Sequence, residues 1–535
     1  LLPHRQGSIL TRSRGFGKGG RTFRSLLGSV SGLFPSPEGL VIVLVFLAAL
    51  CPIQDADLFL HLATGRLVLE KGVPAMDPFS HTMAGQPWLA HEWFMATLLE
   101  LGYRVGGIGF LVWCKAMLAS VVLFLFIALY HQAGVSSRLA STAGLIAVSV
   151  TYRNVLLVRP HLLTLLFVPL ILFLLKWAFP TEAEGHRALE EISPEGKGRR
   201  LLVACVTPLV FLIWANSHGG YILGFLPFVV VGIDQLRDRY NGCPGASARL
   251  AQIGLVGLAS IGAVLINPHG IKILSFPFLF DPRASFLSLV DEWAPPDFKR
   301  FVPHELVLLA LIVAPLVWPV RATWGEIVGL LAGLHLGLTA IRNQFLIGVF
   351  GSPIVARCLD VGTKGDSLLA RVERRFELAS RNHSALLPFV LVAAASLPWS
   401  LKTDFVEASR YPKSAVEWLR RDKPPGALFN EYDHGGYLLW ALPEYPVFID
   451  GRIEIYSRQR VLPDYLKVIE ARPGWAEVLD RRGVNLVLIR KEEPLVSALA
   501  RDSRFFLAFD KDGVAGFIRR NKTKPLTRAI SPERF

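Results

Sequence analysis

Two carboxylates one residue apart, Asp55 and Asp57, stand at the end of the first long apolar run of the chain. Such a pair just past a helix end serves either as a general base or as hard oxygen ligands for a divalent cation. Mg2+ or Mn2+ is the cofactor this pattern admits. The plain alternative for an isolated Asp-Ala-Asp is a solvated helix terminus. The continuation weighs against it, because His61, Arg66, Asp77, His81, His91 and Glu92 all follow within about forty residues. Single histidines here read more readily as hydrogen-bonding groups than as metal ligands.

Polar corners recur further along. Arg153-Asn154 and Arg159-Pro160-His161 bracket one hairpin between apolar runs, and Asn216-Ser217-His218-Gly219-Gly220 turns another. Asn267-Pro268-His269-Gly270 opens a longer loop that includes Asp291-Glu292-Trp293, and Arg342-Asn343 sits between two later runs. Arginine clamps phosphate with two parallel hydrogen bonds, which makes Arg153, Arg159 and Arg342 phosphate-clamp candidates. Each also has a plain reading: Arg159 as a helix-end cap, Arg342 as an interfacial side chain reaching out to water. Ionisable groups near bilayer depth are costly and usually serve a site.

The elements that must position these groups are membrane helices. The 535 residues are 52% hydrophobic and only 19% charged, with a mean hydropathy of +0.41. Soluble chains carry about 25% charge, so a polytopic membrane protein is the class that remains. The net charge of +14 is spread over loops and forms no single basic face, which argues against nucleic acid. The five cysteines show neither metal-ligand nor disulfide-framework spacing.

Apolar runs near 38–53, 107–130, 139–158, 161–179, 201–215, 219–234, 251–267, 305–318, 323–341, 343–357 and 386–400 predict about eleven transmembrane helices. The acid-free basic segment before Glu38 places the N-terminus in the cytoplasm, with residues 1–35 as a disordered tail. The stretch 92–104 is too short and too charged to cross. If it stays on one side, the loops at 131–138, 180–200, 235–250, 319–322 and 358–385 share the cytoplasmic face with the N-terminus. Together they hold about twenty Lys and Arg, as the positive-inside tendency asks. Residues 36–400 then form the transmembrane domain, with external loops at 54–106 and 268–304. The polar corners all fall outside. Residues 401–535 alternate short apolar runs (427–429, 446–449, 484–489) with helix-like stretches (414–421, 474–482). They predict a small extracytoplasmic α/β domain.

One reaction fits this inventory. A lipid-linked phosphosugar presents an anionic phosphate for arginines, a tail for a groove between helices, and an acceptor that needs a carboxylate opposite the reacting carbon. The acidic pair after the first run, the long first loop, and HEWFMATLLELGYRVGG (91–107) resemble the GT-C superfamily of integral-membrane glycosyltransferases. The sequence is closer still to a group of largely uncharacterised bacterial GT-C-like membrane proteins. That likeness rests on DADLFLHLATGR, the later corners RPH, NSHGG, NPHG and RN, and NEYDHGGYLLWALPEYPVFIDGR (430–452).

The resemblance implies an inverting transfer from a polyprenyl-phosphate-linked sugar to an extracytoplasmic acceptor (protein, lipid or glycan) at the outer face of a bacterial inner membrane. Asp55 matches the superfamily's first-loop acid, as general base or metal carboxylate, with Asp57 as its partner in either role. On the residues themselves, Arg159 and Arg342 are expected to take the lipid phosphate, and His91 and Glu92 to line the acceptor side. His61, Arg66, Arg153, His161, Asn216, His218, His269 and Asn343 complete the substrate-binding set. The acceptor motif of the oligosaccharyltransferases is missing, as is the Asp-Glu pair of the O-mannosyltransferases, so the acceptor class stays open. A transporter or flippase of a lipid-linked glycan, and a non-catalytic subunit of a membrane assembly, are the rival readings. The oligomeric state is not legible.

Overall fold

The computed structural model describes residues 36–53, 55, 57–152, 157–181, 194–278, 291–299, 302–380, 384–407, 410–456 and 460–520. The segment 1–35, expected as a basic tail, lies outside them, and so does Arg153.

Each of the eleven apolar runs coincides with a helix. In chain order the helices are α1 (Pro37–Ala49), α2 (Asp57–Lys71), α3 (Trp93–Gln132), α4 (Arg138–Thr151), α5 (Leu162–Ala178), α6 (Pro194–Ala215), α7 (Leu226–Tyr240), α8 (Ala246–Val264), α9 (His304–Val317), α10 (Trp324–Thr339), α11 (Phe345–Gly362), α12 (Leu368–Ser380) and α13 (Leu386–Lys402). Among the described residues, five helical segments are long and apolar enough to cross a membrane, and six shorter helices are apolar. Leu255, Leu258, Leu309 and Leu316 point outward and stay exposed, which suits a lipid-facing surface and no aqueous one. This is an integral membrane protein.

The stretch 92–104 is not an independent element. It opens α3, whose 40 residues would extend about 60 Å if straight, twice the ~30 Å hydrocarbon core. The helix breaks at Gly106 and Gly107, both with non-helical dihedrals, Gly107 at φ 65°. An amphipathic arm thereby turns into an apolar span, and only glycine holds that left-handed angle without strain.

Polar contacts sort the connections to two ends of the bundle. At one end Asp360 accepts from the backbone N–H groups of Ser136 (2.8 Å) and Ser137 (2.7 Å), and Glu373 accepts from Leu139 N–H (2.9 Å). There too Asp234 accepts from Thr323 Oγ1 and Gly325 N–H, and Gln235 reaches Phe179 O. At the other end Phe94 N–H, past the first loop's polar stretch, donates to Asn216 O, Asn216 donates to Ile266 O, and Ile341 N–H donates to Ala294 O.

Past α13 lie α14 (Lys413–Asp422), β1 (Ala427–Asn430), α15 (Tyr432–Ala441), α16 (Ile453–Tyr456), α17 (Val461–Ile469), α18 (Trp475–Arg481), β2 (Val484–Arg490), α19 (Pro494–Arg501), β3 (Phe505–Lys511) and β4 (Val514–Arg519). The sheet order is β1-β2-β4-β3. β1 and β2 are parallel, and the other pairs are antiparallel. The apolar run 446–449 is not a strand of this sheet. Val447 instead pairs with Ser80 of the first loop, because Phe79 O and His81 N–H supply the backbone partners it needs. The first loop also builds the core of this region: Phe59 packs edge-on against Tyr411 and Tyr437 and tilted against Trp440. Met83, Trp88 and Ala90 pack among Phe429, Phe448 and Ile449.

Candidate active site

The Asp55–Asp57 turn is the starting point. Asp55 Oδ1 accepts the backbone N–H of Asp57 (2.9 Å) and so caps the first turn of α2. Its other oxygen accepts from Arg159 Nε, and its side chain is 1% exposed. Asp57 differs: its carboxylate is 28% exposed and lies 3.3 Å from Arg159 Nη2. The remaining nitrogen, Nη1, faces Glu292 at 3.2 Å. Glu292 in turn lies 3.6 Å from Arg342 Nη1, and the Arg342 guanidinium sits 4.4 Å over the Trp293 ring. Burial raises the Asp57 pKa to about 8, even though Arg159 pulls the other way.

A second cluster adjoins the first through α2. His61 lies one turn beyond Asp57, on the same face of the helix. It approaches Glu92 at 3.7 Å, where His91 (3.5 Å) and His218 (4.0 Å) also converge. His218 Nδ1 accepts the Gly220 N–H (3.1 Å) and lies 2.8 Å from Thr164 Oγ1, which itself accepts from Trp214 Nε1 (3.1 Å). With Nδ1 taken as acceptor, the ring proton belongs on Nε2, toward Glu92. Burial lowers the pKa of His218 and of His61. Burial works the same way on His91, but the Glu92 carboxylate prevails and raises it. Glu92 is lowered: its burial is outweighed by His91, His61 and His218. A small cleft of about 30 Å³ opens beside this cluster, lined by His61, Thr64, Trp88, Glu92, Arg452 and Glu454 among others.

Several expected residues serve the frame. Asn216 is fully engaged, donating to Leu212 O and Ile266 O (both 2.9 Å) and accepting from Trp93 Nε1 (2.9 Å). Arg66 reaches Trp440 O (3.4 Å) and Glu100 (3.9 Å), away from the carboxylates. His269 is fixed by Asn267, whose Oδ1 accepts its backbone N–H (2.7 Å). His161 precedes α5 beside the site, and Asn343 follows Arg342 in the same short turn.

The sequence marked Glu292 only as part of the second long loop and Gly451 only within the turn Asp450-Gly451-Arg452 expected to dock the C-terminal domain on the membrane part, and it carried no signal for Tyr411 or Glu454. Tyr411 donates to Asp55 O (3.1 Å). A Cβ on Gly451 would lie 2.2 Å from Asp57 Oδ1, so this glycine lets the C-terminal region close over the carboxylate. Nothing in local sequence links residue 451 to residue 57.

The donors do not fit Mg2+ or Mn2+ as arranged. Asp55 and Asp57 both face the Arg159 guanidinium, and no group of three or more His, Cys, Asp or Glu among the described residues is placed to hold a metal.

No protein-family model and no curated protein matches the sequence. Solved structures do match. The archaeal oligosaccharyltransferase AglB from Archaeoglobus fulgidus, in complex with an inhibitory peptide and a dolichol-phosphate, aligns with a TM-score of 0.53 at 11% identity, over 92% of this chain and 75% of its own. The arabinofuranosyltransferase AftD from Mycobacteria aligns with a TM-score of 0.54 at 13% identity, over 90% of this chain and 40% of its own. The fold is that of the GT-C membrane glycosyltransferases.

Proposed function

We propose that this protein is a membrane glycosyltransferase that moves a sugar from a polyprenyl-phosphate donor to a hydroxyl or amide acceptor. The observation that carries the reading is the half-open Asp57 carboxylate beside Arg159, Glu292 and Arg342 in a fold shared with such enzymes. Asp57, the exposed member of the pair, is the base, and the buried Asp55 positions it by capping α2 and holding Arg159. The acceptor's proton passes to Asp57 as its oxygen or nitrogen bonds to the sugar's anomeric carbon from the face opposite the phosphate. The bond from that carbon to the phosphate oxygen breaks, and the phosphate leaves with the electron pair. Arg342, which lies over Trp293 and shares Glu292 with Arg159, meets the developing phosphate charge. The Glu92–histidine cluster and its cleft take the acceptor side. The bound dolichol-phosphate of the archaeal structure supports a lipid-phosphate donor here.

The test is transfer of labelled sugar from a panel of polyprenyl-phosphate sugars by the purified full-length chain, with Asp57→Asn in parallel at equal folded amounts. Turnover by the wild type and its loss in the variant is the expected result. Donor binding without turnover in either protein would favour the transporter reading.

A further inference from the structure

Each nitrogen of the Arg159 side chain faces a different carboxylate: Nε faces Asp55, Nη2 Asp57 and Nη1 Glu292. The three acids come from three separate places, namely the segment after α1, the first turn of α2 and the short 3-10 turn Asp291–Trp293. Their side chains are 1%, 28% and 29% exposed. Carboxylates gathered that closely, one of them buried, repel one another unless a cation stands among them. Proteins commonly meet this need with a hard divalent ion bound through carboxylate oxygens. In this chain the cation is part of the polypeptide, and its planar fork offers one N–H direction to each acid.

We infer that the Arg159 guanidinium occupies the place of a divalent cation, so that Asp55, Asp57 and Glu292 are drawn together by the chain's own charge and no metal ion binds there. Arg159 is thus a positioning residue, and Arg342 is left to the donor phosphate. Removal of the guanidinium would leave three inward-facing carboxylates around a hole, which is a divalent-cation site.

The experiment titrates Mn2+ into the purified full-length protein and follows the free-ion signal by electron paramagnetic resonance. Wild type, Asp57→Asn, Arg159→Ala, Arg159→Met and the double variant Arg159→Ala/Asp57→Asn are compared. The expected result is no sequestration by the wild type up to millimolar Mn2+. Arg159→Ala takes up one Mn2+ per chain at least a hundredfold more tightly, and the double variant loses it. Arg159→Met, which keeps the side chain's bulk, covers the case in which the alanine variant does not fold. Mn2+ raises the melting temperature of whichever single variant folds and leaves the wild type unmoved. The inference is overturned if the wild type itself sequesters one Mn2+ and Asp57→Asn abolishes it, or if folded Arg159 variants bind no better than wild type. No sugar donor enters the measurement, so its failure is distinct from failure of the glycosyltransferase reading.

Discussion

Arg452 donates from Nη1 to Asp77 Oδ1 over 2.7 Å, across 375 residues of sequence. Its other nitrogens hold Asp450 (2.8 and 2.6 Å), and its guanidinium lies 4.5 Å over Trp88. One buried cation therefore fastens the first loop to the C-terminal region and forms a wall of the cleft beside Glu92. Breaking a buried pair by deleting one partner costs about 3–5 kcal/mol, because the other charge is left unpaired. Arg452→Ala is expected to cost that much, with early exposure of the first loop to protease. A melting curve and limited proteolysis check it, and Arg452→Lys should recover only part, since a point charge cannot serve both acids and the ring.

Asp57 and Asp55 are predicted to fail differently. Asp57→Asn should lower turnover about a hundredfold or more, the range for loss of a general base, with lipid-phosphate binding nearly kept and the melting temperature not lowered. Asp55→Asn should lower the folded amount as well, since Asp55 is buried between the α2 cap and Arg159. Parallel kinetics and detergent-stable yield separate the two.

Turnover should rise with pH through the Asp57 pKa of about 8. The sign follows from its proposed role as base, because only the ionised carboxylate accepts a proton. The same elevation makes the folded state bind the proton more tightly than the unfolded one between the ordinary carboxylate pKa of 3.8 and about 8. Stability from this group is thus lost as pH rises through that window. The pH–rate profile checks the first statement. The second is checked by comparing the pH dependence of melting for wild type and Asp57→Asn, which should be flatter.

Gly451→Ala is predicted to damage activity more than folding. The new Cβ meets the end of the Asp57 side chain, so the carboxylate moves while the backbone stays. By contrast, a Cβ on Gly435 would meet Ile449 O at 2.3 Å and Asp450 Cα at 2.7 Å, and Gly435→Ala should lower stability outright. Melting temperature and turnover measured together distinguish the pair.

Arg342→Ala should weaken polyprenyl-phosphate binding by about 1.5–3 kcal/mol, a rise in Kd of about 10- to 150-fold, the scale of one charge-assisted hydrogen bond. Arg342→Lys should restore part of it without the stacking on Trp293. Binding of a labelled polyprenyl phosphate to the two variants tests this.

The helices were legible in the sequence because crossing a membrane demands about twenty apolar residues in a row, a local property that needs no partner. The Asp55–Asp57 turn, the Glu92–His91 pair and the polar corners were legible for a related reason: polar side chains stand out against such runs. Only the tertiary structure decided which of them meet. The convergence on Arg159 joins residues 55, 57, 159 and 292, and the closure over Asp57 comes from Gly451. It also decided that Val447 pairs with Ser80 instead of joining the sheet, since a short apolar run reads alike whichever backbone completes its hydrogen bonds. Charge and burial are set by what folds over a residue, so the sequence put Asp55 first as the base with Asp57 as its partner, while the structure buries Asp55 and leaves Asp57 partly open.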